Sequence, residues 1–458
     1  MGLMEMLIRR SNELTQKRIA VIGSGIAGIS AAWYLRQEYH VTLFEKRSRL
    51  GGHTHTIVVQ DPRSGATPVD TGFIVCNDRT YPYFHRFLEE LSVPVRSADM
   101  SFGYYDESTG FSYGATSLQG LVPSLRHLFN RQYMGMWRAL PKFNRNALRD
   151  LEEGHLKGLT LREYLKERKV PKSFIELFLV PMGAAIWSSG DDVLLDTPAE
   201  TFLAFFKNHG LLTILDRPQW QTVVGGSHSY LKAFTSQFHG DIRLSTGVRS
   251  VRRTADGVLI ASEQGEQQER FDAVVFACHA DQILPMLLDA SAQENALFSP
   301  WRYHSNATIL HTDVSYLPPN KRTWASWNYR RECGERGSEP LSVTYHMNRL
   351  QGLDSAKEYC VTLNPRKEIS KQEIIKELHY MHPMYTLDSV ATQQEIYQHS
   401  GSNRTFYVGS YLGWGFHEDA IRSSYQTVTR LLGTSGQDYF RRAQAEAVSV
   451  FQESPNAF

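Results

Sequence analysis

The chain has 458 residues, a formal net charge of +1 at pH 7 and 41% hydrophobic residues. This length allows two or three domains with a large core, and a charge so close to zero excludes a general affinity for nucleic acids. The four cysteines form no C-x-x-C pair. We therefore expect neither a structural zinc site nor another metal site, and we favour a reducing compartment.

Residues 1–17 form a polar stretch without the apolar core of a signal peptide. No apolar run approaches the ~18 residues that a transmembrane helix needs. We expect a cytoplasmic protein. A peripheral position on the inner face of the membrane is the alternative.

A glycine-rich motif follows the first predicted strand, which covers the apolar residues 18–22. Its glycines, spaced as G-x-G-x-x-G, are Gly23, Gly25 and Gly28. They permit a tight turn, a close approach of backbone to pyrophosphate, and packing of the next helix, over 29–35, on the strand. A second strand over 40–44 ends at Glu45, which is placed to bind a ribose. The motif predicts a dinucleotide site; the alternative is a glycine-rich turn in an ordinary βαβ unit.

Two more glycine turns follow, at residues 49–54 and 69–73. With these motifs the chain resembles the superfamily of flavin amine oxidases and polyene desaturases. In that superfamily a glycine doublet after the acid continues the phosphate and flavin site, and a D-x-G-type turn comes next. The resemblance implies FAD rather than NAD. The family usually carries Arg after the doublet, where this chain has His53.

The resemblance covers nearly the whole chain and implies an α/β fold, α+β overall. We expect a Rossmann-type FAD-binding domain and a discontinuous substrate domain of antiparallel sheet plus helices. The FAD-binding pieces are 1–75, 215–285 and 401–435. The substrate pieces are 76–214 and 286–400, and residues 436–458 form a C-terminal tail.

Local patterns predict the main elements of the substrate domain. Short β-branched or aromatic runs predict an antiparallel sheet, with strands over 306–312, 323–329, 341–347 and 359–363. Helices are expected over 80–91 and 159–168, with Pro141 among the prolines that break segments. The apolar residues 202–206 and 211–212 predict either the wall of an acyl tunnel or simply a buried helix.

The resemblance also implies which residues contact FAD. In the superfamily the backbone of the residue matching Val248 lies beside the adenine, and the last helix directs N–H groups at flavin N1 and O2, where reduced flavin gains negative charge. The implied cofactor residues are Gly23, Ser24, Gly25, Ile26, Ala27, Gly28, Glu45, Lys46, Gly51, Gly52, His53, Thr54, Gly72, Phe73, Val248, Gly409, Phe416, His417, Glu418, Asp419 and Ala420. No cysteine lies near the closing motif, so we predict non-covalent FAD.

Several strings resemble one branch of the superfamily, in which amine-oxidase-like flavoproteins are associated with cyclopropane-fatty-acid synthases. These strings lie at 326–329, 345–351, 362–365 and 413–419. This branch implies a fatty-acyl or cyclopropane-acyl substrate. It also implies a separate methyltransferase of the synthase type as a partner.

True amine oxidases place a Lys in a substrate-domain strand, where it holds a water near flavin N5. That position aligns near Asn306 or Ala307, and no Lys lies between Gln282 and Asn320. This argues against ordinary amine oxidation, unless the alignment slips and another base replaces Lys. Four aromatic residues could form an amine cage or part of the core: Trp327, Tyr345, Trp414 and Phe416.

The flavin carries the chemistry, and the protein supplies position and electrostatics. We expect hydride transfer from a substrate carbon to flavin N5, with a base nearby if a C–C bond is desaturated. The candidate catalytic residues are His53, Tyr345 and Asn328. A structural role for His53 is the alternative.

Residues 120–149 contain six basic residues and no acid, interleaved with Leu, Phe, Met and Trp. This pattern is typical of an interfacial membrane segment or of a solvated helical hairpin.

Three functions follow from these observations. The first is an FAD-dependent oxidoreductase that desaturates or oxidises an acyl lipid. The second is a flavin amine oxidase that produces hydrogen peroxide. The third is a non-catalytic flavoprotein partner of a fatty-acid methyltransferase.

Overall fold

The computed structural model describes residues 16–213, 217–265, 267–331 and 342–433; the predicted tail at 436–458 lies outside them. The strands are β1 (Arg18–Ile22), β2 (His40–Phe44), β3 (Thr56–Asp61), β4 (Gly65–Asp70), β5 (Cys76–Asn77), β6 (Val95–Ser97), β7 (Phe102–Asp106), β8 (Phe111–Gly114), β9 (Trp220–Val223), β10 (Asp241–Arg243), β11 (Val248–Thr254), β12 (Gly257–Ser262), β13 (Gln268–Phe271), β14 (Ala273–Phe276), β15 (Arg302–His311), β16 (Trp327–Arg331), β17 (Ser342–His346), β18 (Cys360–Leu363), β19 (Ile374–Met384) and β20 (Thr405–Tyr407).

The longer helices are Ile26–Leu35, Pro82–Glu90, Arg131–Glu152, Leu161–Glu167, Val180–Trp187, Ala199–Asn208, His228–Gln237, Ala292–Phe298, Leu387–His399 and His417–Leu432. Shorter helices include Leu118–Leu121 and Arg126–Phe129, and a π-helical turn covers Ile175–Leu179. The predicted helices over 80–91 and 159–168 are therefore present with slightly shorter limits. The mixture of parallel sheet, antiparallel sheet and helices confirms the predicted α/β class.

The described chain divides into two compact units by its internal contacts. The first contains residues 16–52, Phe234–Ser299 and 393–433. Its main sheet has five parallel strands in the order β10-β2-β1-β14-β20. Residues Ile19–Ile22 of β1 are buried, as expected for a parallel strand covered on both faces. An antiparallel sheet, β11-β12-β13, completes this unit.

The second unit contains His53–Ala233 and 300–392. Its largest sheet has seven strands in the order β19-β15-β18-β17-β16-β7-β8. The predicted strands 306–312, 341–347 and 359–363 correspond to β15, β17 and β18. The strand predicted over 323–329 begins only at Trp327, as β16, because Lys321–Thr323 forms a 3-10 turn. Most pairings are antiparallel, although β16 pairs with β7 in parallel. The 11-residue β19 and the β7–β8 hairpin extend the sheet beyond the prediction. The predicted domain limits, drawn from motifs, remain predictions.

Two helices of the second unit bear on the sequence predictions. The expectation that Pro141 breaks a segment is wrong, because Pro141 lies inside the 22-residue helix Arg131–Glu152 on an exposed position. The apolar run around residue 204 is a buried helix, in which the Phe202 and Phe206 rings stack at 4.3 Å. Within the described ranges, no helix combines the length and apolar character needed to cross a bilayer.

Candidate functional site

The first unit contains a tight turn between β1 and the helix Ile26–Leu35. Gly23 has φ of +102° and donates its N–H to the Phe44 carbonyl at 2.8 Å. A Cβ at Gly23 would lie 2.7 Å from the Ala277 carbonyl oxygen, and one at Gly28 would lie 1.9 Å from the Gly23 oxygen. The first and third glycines are therefore required by the protein's own packing.

The middle glycine of the motif differs from the other two. A Cβ at Gly25 would meet no protein atom within 4 Å, and its φ of −63° is open to any residue. Gly25 precedes the first turn of the helix, where backbone N–H groups and the helix dipole favour an anion. The glycine doublet flanks this point: Gly51 donates its N–H to the Ser24 carbonyl at 2.9 Å, and a Cβ at Gly52 would lie 3.1 Å from Gly25 Cα.

Glu45 is held at the end of β2 beside the same turn. The residue is 7% exposed, and its carboxylate accepts hydrogen bonds from the Ser24 N–H at 3.1 Å, the Ser24 hydroxyl at 2.5 Å and the Arg47 N–H at 2.8 Å. These bonds fix the acid against the glycine turn, where a ribose hydroxyl donor is expected. The neighbouring Lys46 is exposed.

The closing helix His417–Leu432 packs on the helix that follows the glycine turn. The Ser424 hydroxyl donates to the Ala27 carbonyl at 2.8 Å, and Gly409 N–H donates to the Ser423 hydroxyl at 2.9 Å. The two glycine-bearing segments are thus tied to one another although they are far apart in sequence.

Asp419 caps the beginning of its own helix. Its carboxylate accepts the N–H groups of Trp414 at 3.0 Å and Phe416 at 3.1 Å, and it pairs with Arg422 at 2.7 Å. Burial raises the pKa of Asp419. Asp419 thus stabilises the helix N-terminus, where His417 begins the helix; its contact with FAD remains a prediction.

Three other predicted cofactor residues lie in this unit. Glu418 and Ala420, in the first turn of the closing helix, are both buried. Val248 begins β11, is 9% exposed and pairs with Ser262 of β12.

These features together fit FAD. Two glycines are required by close packing, a third faces open space at a helix N-terminus, and a buried carboxylate stands at the end of the second strand. A second helix N-terminus is braced by its own aspartate. Such a site holds pyrophosphate, ribose and flavin by backbone N–H groups and one acid.

His53, which follows Gly52 directly in the chain, is part of a group of polar rings in the second unit. Its ring stacks on Tyr380 at 5.0 Å and contacts His382 at 5.3 Å. The His304 ring lies 5.9 Å from that of His382. The register of β15 with β19 pairs His304 with His382.

The turn that carries Gly72 and Phe73 packs on His53. Phe73 N–H donates to the His53 carbonyl at 2.9 Å, and a Cβ at Gly72 would lie 2.1 Å from the same oxygen. The neighbouring Thr54 is 1% exposed, and its hydroxyl bonds to that of Tyr230. The predicted cofactor residues Gly72 and Phe73 therefore contact the backbone of His53, and Thr54 follows His53 in the chain.

A chain of hydrogen bonds leads from the backbone of β15 to His382. Ala307 N–H donates a hydrogen bond to Asn364 Oδ1 at 3.0 Å. The Asn364 amide nitrogen then donates to Asn306 Oδ1 at 2.6 Å. The Asn306 amide nitrogen then donates to His382 Nδ1 at 2.7 Å. Because Nδ1 accepts, a neutral His382 carries its proton on Nε2. We call Asn364, Asn306 and His382 the amide–imidazole chain.

Tyr345 and Asn328 lie on neighbouring strands but not on one face. Tyr345 stands opposite Trp327, with the rings edge to face at 5.2 Å, so Asn328 points to the other face of the sheet. The Asn328 amide bonds to both backbone groups of Ala325 and to the Thr344 carbonyl. Burial raises the pKa of Tyr345 to about 12, and its hydroxyl donates to the Ala185 carbonyl at 3.3 Å.

The structure thus joins His53 to residues that were not predicted: Asn364, Tyr380 and His382. The sequence contains a signal for strand β19, because Tyr380 and His382 are two residues apart and so lie on one face of a strand. His379, one residue before Tyr380, lies on the other face and is exposed. The alternating pattern predicts a strand but gives no partner, so the contact with His53 could not be found.

Comparison with known proteins agrees with this geometry. The profile of flavin containing amine oxidoreductases matches residues 26–432. A putative flavin-containing monoamine oxidase, AofH, of Mycobacterium tuberculosis is 28% identical over 262 residues, 55% of each chain. An L-amino-acid oxidase of Siganus canaliculatus is 23% identical over 277 residues, 59% of this chain and 50% of that protein. The chain spans about half the length of these curated relatives.

Solved structures share the fold at low sequence identity. A CLA-producing fatty acid isomerase from P. acnes has a TM-score of 0.65 at 17% identity, and putrescine oxidase has a TM-score of 0.66 at 13% identity. Each comparison covers 91% of this chain and 99% of the other. With the family profile covering most of its length, the chain belongs to the flavin-containing amine oxidoreductase family.

Proposed function

We propose that this protein oxidises a carbon–hydrogen bond of an uncharged, largely apolar substrate, and that the substrate is a fatty-acyl or cyclopropane-acyl lipid. The observation that supports this most directly is the amide–imidazole chain. It includes Asn306, and the resemblance places the Lys of the amine oxidases near Asn306 or Ala307.

The substrate class follows from the donor and acceptor pattern. His382 accepts a hydrogen bond from Asn306 at Nδ1 and so offers a donor at Nε2. Its neighbours His53, His304 and Tyr380 are aromatic rings without a carboxylate, and burial lowers the pKa of His304. A group with an N–H donor and no carboxylate suits a carbonyl or carboxyl oxygen of an acyl compound and repels an ammonium ion.

When bound, FAD supplies the oxidant, which takes a hydride from a substrate carbon. In the proposed mechanism, Asn306 holds the tautomer of His382 and the imidazole orients the substrate oxygen by its N–H. The buried Tyr345 stays protonated, because its raised pKa keeps the phenol neutral. In this proposal its ring forms part of the wall of the substrate site. Loss of the hydride to FAD, together with loss of a proton from the adjacent carbon to solvent, would yield a desaturated acyl chain.

Amine oxidation with release of hydrogen peroxide is the second candidate. The edge-to-face pair of Trp327 and Tyr345 supports it, because aromatic faces attract a cationic amine. The curated relatives named as monoamine and L-amino-acid oxidases support it as well.

Anaerobic reduction of the purified yellow protein tests these candidates. Free fatty acids, acyl phospholipids and a panel of amines are added in turn, and the flavin absorbance is followed. We expect bleaching with an acyl compound and none with amines. Bleaching and peroxide release with an amine alone would overturn the acyl proposal. A flavin that no compound reduces, in a protein that co-purifies with a methyltransferase, would favour the non-catalytic partner.

Variants connect the result to the proposed residues. We expect His382→Phe and Asn364→Ala to slow bleaching by the acyl compound at least tenfold while FAD stays bound. His379→Gln is the matched control, since His379 lies on the same strand but is exposed. Equal rates in all three variants would contradict the role of the amide–imidazole chain.

A further inference from the structure

We propose that residues 118–149, here called the docking segment, bind the surface of an anionic lipid bilayer. The proposal stands on three observations of the second unit and does not depend on the substrate. They are a group of exposed apolar side chains, an ordered support for them, and a stripe of basic residues.

The apolar side chains lie at the beginning of the docking segment. Leu118 and Phe129 are each 83% exposed, Leu125 is 73% exposed and Leu128 is 48% exposed. The first three are the most exposed large hydrophobic side chains of the described chain, and they fall within a dozen residues. Isolated exposed apolar residues are normal, but a concentrated group of this kind marks an interaction site.

Hydrogen bonds to neighbouring residues fix the short helices that carry these side chains. His127 is buried between Leu125 and Phe129 in sequence, and its ring bonds to the Ser112 carbonyl at 2.9 Å and to the Ser124 hydroxyl at 3.1 Å. The Tyr133 hydroxyl donates to the Leu121 carbonyl at 2.8 Å. The exposed leucines and phenylalanine therefore project from an ordered support.

The helix Arg131–Glu152 adds a basic stripe. Its basic residues follow one another at spacings of 7, 4, 3 and 4, which confines them to about 60° of the helix circumference; they are Arg131, Arg138, Lys142, Arg145 and Arg149. The opposite side is buried through Met136, Phe143 and Ala147. Except for Arg149, these basic residues form no ion pair with any described residue.

Charge and apolarity together identify the occupant. The sequence contains no Asp or Glu from residue 108 to residue 149, so the surface attracts anions. Basic residues alone would also suit a nucleic acid or an acidic protein, but neither offers hydrocarbon to Leu125 and Phe129. A bilayer of anionic lipid offers both, with apolar side chains entering the interface and Arg and Lys near the headgroups. A second copy of the chain would bring like charges together.

Vesicle flotation with the full-length yellow protein tests the proposal. The probes are vesicles of phosphatidylcholine alone and of phosphatidylcholine with 30% phosphatidylglycerol. We expect at least tenfold stronger binding to the anionic vesicles at 100 mM salt. Equal binding to both vesicle types, or none to either, would overturn the proposal.

Two variants separate the apolar and basic contributions. Leu125→Ser/Phe129→Ser should lower binding at least tenfold at every salt concentration, and Arg138→Glu/Lys142→Glu should abolish the preference for anionic vesicles. Leu288→Ser is the matched control, because Leu288 is 53% exposed on the other unit. Retained FAD absorbance shows that each variant is folded. The bilayer is not the partner if Leu125→Ser/Phe129→Ser binds vesicles as the wild type does. It is also not the partner if an oligonucleotide displaces vesicles from the wild type and from this variant alike.

Discussion

Substitution of the two glycines at Gly25 and Gly28 should separate FAD binding from folding. Gly25 faces open space, since an added Cβ would meet no protein atom within 4 Å, whereas a Cβ at Gly28 would lie 1.9 Å from the Gly23 carbonyl oxygen. The same substitution, glycine to alanine, should therefore destabilise the apoprotein little at Gly25 and more at Gly28.

The magnitudes follow from these distances. Gly25 adopts φ of −63° and ψ of 175° before the helix, so Gly25→Ala costs at most about 1 kcal/mol in unfolding free energy, from the poorer N-cap. In Gly28→Ala the helix must move off the turn, which costs roughly 1–3 kcal/mol or more. If the space at Gly25 receives the pyrophosphate, Gly25→Ala weakens FAD binding about tenfold to hundredfold, equivalent to roughly 1.4–2.7 kcal/mol.

Two measurements check this contrast. Urea unfolding of the apoprotein gives the stability of each variant, and titration with FAD, followed by flavin fluorescence, gives the dissociation constant. Gly265→Ala is a control, because the nearest atom to its Cβ is a serine hydroxyl at 3.6 Å. If Gly25→Ala binds FAD within twofold of the wild type, the pyrophosphate lies elsewhere and the assignment of this turn fails.

Two further predictions concern stability. His311 is fully buried, donates from Nε2 to the Thr362 hydroxyl at 2.7 Å and accepts the Asp313 N–H at Nδ1; burial lowers its pKa to about 4. The neutral form of His311 stabilises the fold above pH 6.5, and ~2 kcal/mol of unfolding free energy is lost as the pH falls from 7 to 5. We expect His311→Gln to reduce that loss, measured by urea unfolding at pH 7 and at pH 5. An unchanged pH dependence of the variant would contradict this. Burial acts to raise the pKa of Glu294, but Arg253, itself 5% exposed at its side chain, holds that pKa at about 2. Glu294→Gln should therefore destabilise the protein by ~3–5 kcal/mol in urea unfolding, because it leaves Arg253 buried without its partner. The double variant Arg253→Met/Glu294→Leu should recover most of that loss. A Glu294→Gln variant as stable as the wild type would contradict this.

The nucleotide-binding part was predictable because its signals are local. Gly23, Gly25 and Gly28 lie next to the strand and helix that they join, so sequence order already gives their arrangement. The strand limits 18–22 and 40–44 agree with β1 and β2. The role of Asp419 as a helix cap was less accessible, since an acid in a first helical turn looks the same whether it faces a ligand or its own backbone.

The second unit was less predictable because its sheet is assembled from distant segments. The hairpin β7–β8 joins β16 across more than 200 residues of sequence, and β19 pairs with β15 over its whole length. Periodicity identifies a strand but contains no information on register with a remote partner. Pro141 shows a further limit, since its ring is tolerated in the middle of a long helix that is stabilised by the packing of its opposite face.

The two departures of this chain from the family pattern lie close together. By the resemblance, His53 stands where the family usually has Arg, and the Lys of the amine oxidases is expected near Asn306 or Ala307. Both side chains contact the His382 ring, one by ring contact at 5.3 Å and the other by a hydrogen bond at 2.7 Å. The Asn306 bond fixes the tautomer of that imidazole, so its Nε2 carries the proton when the ring is neutral. Under the function proposed above, the N–H at Nε2 of His382 suits the oxygen of an acyl compound, and His53 and Asn306 both contact the ring that supplies it.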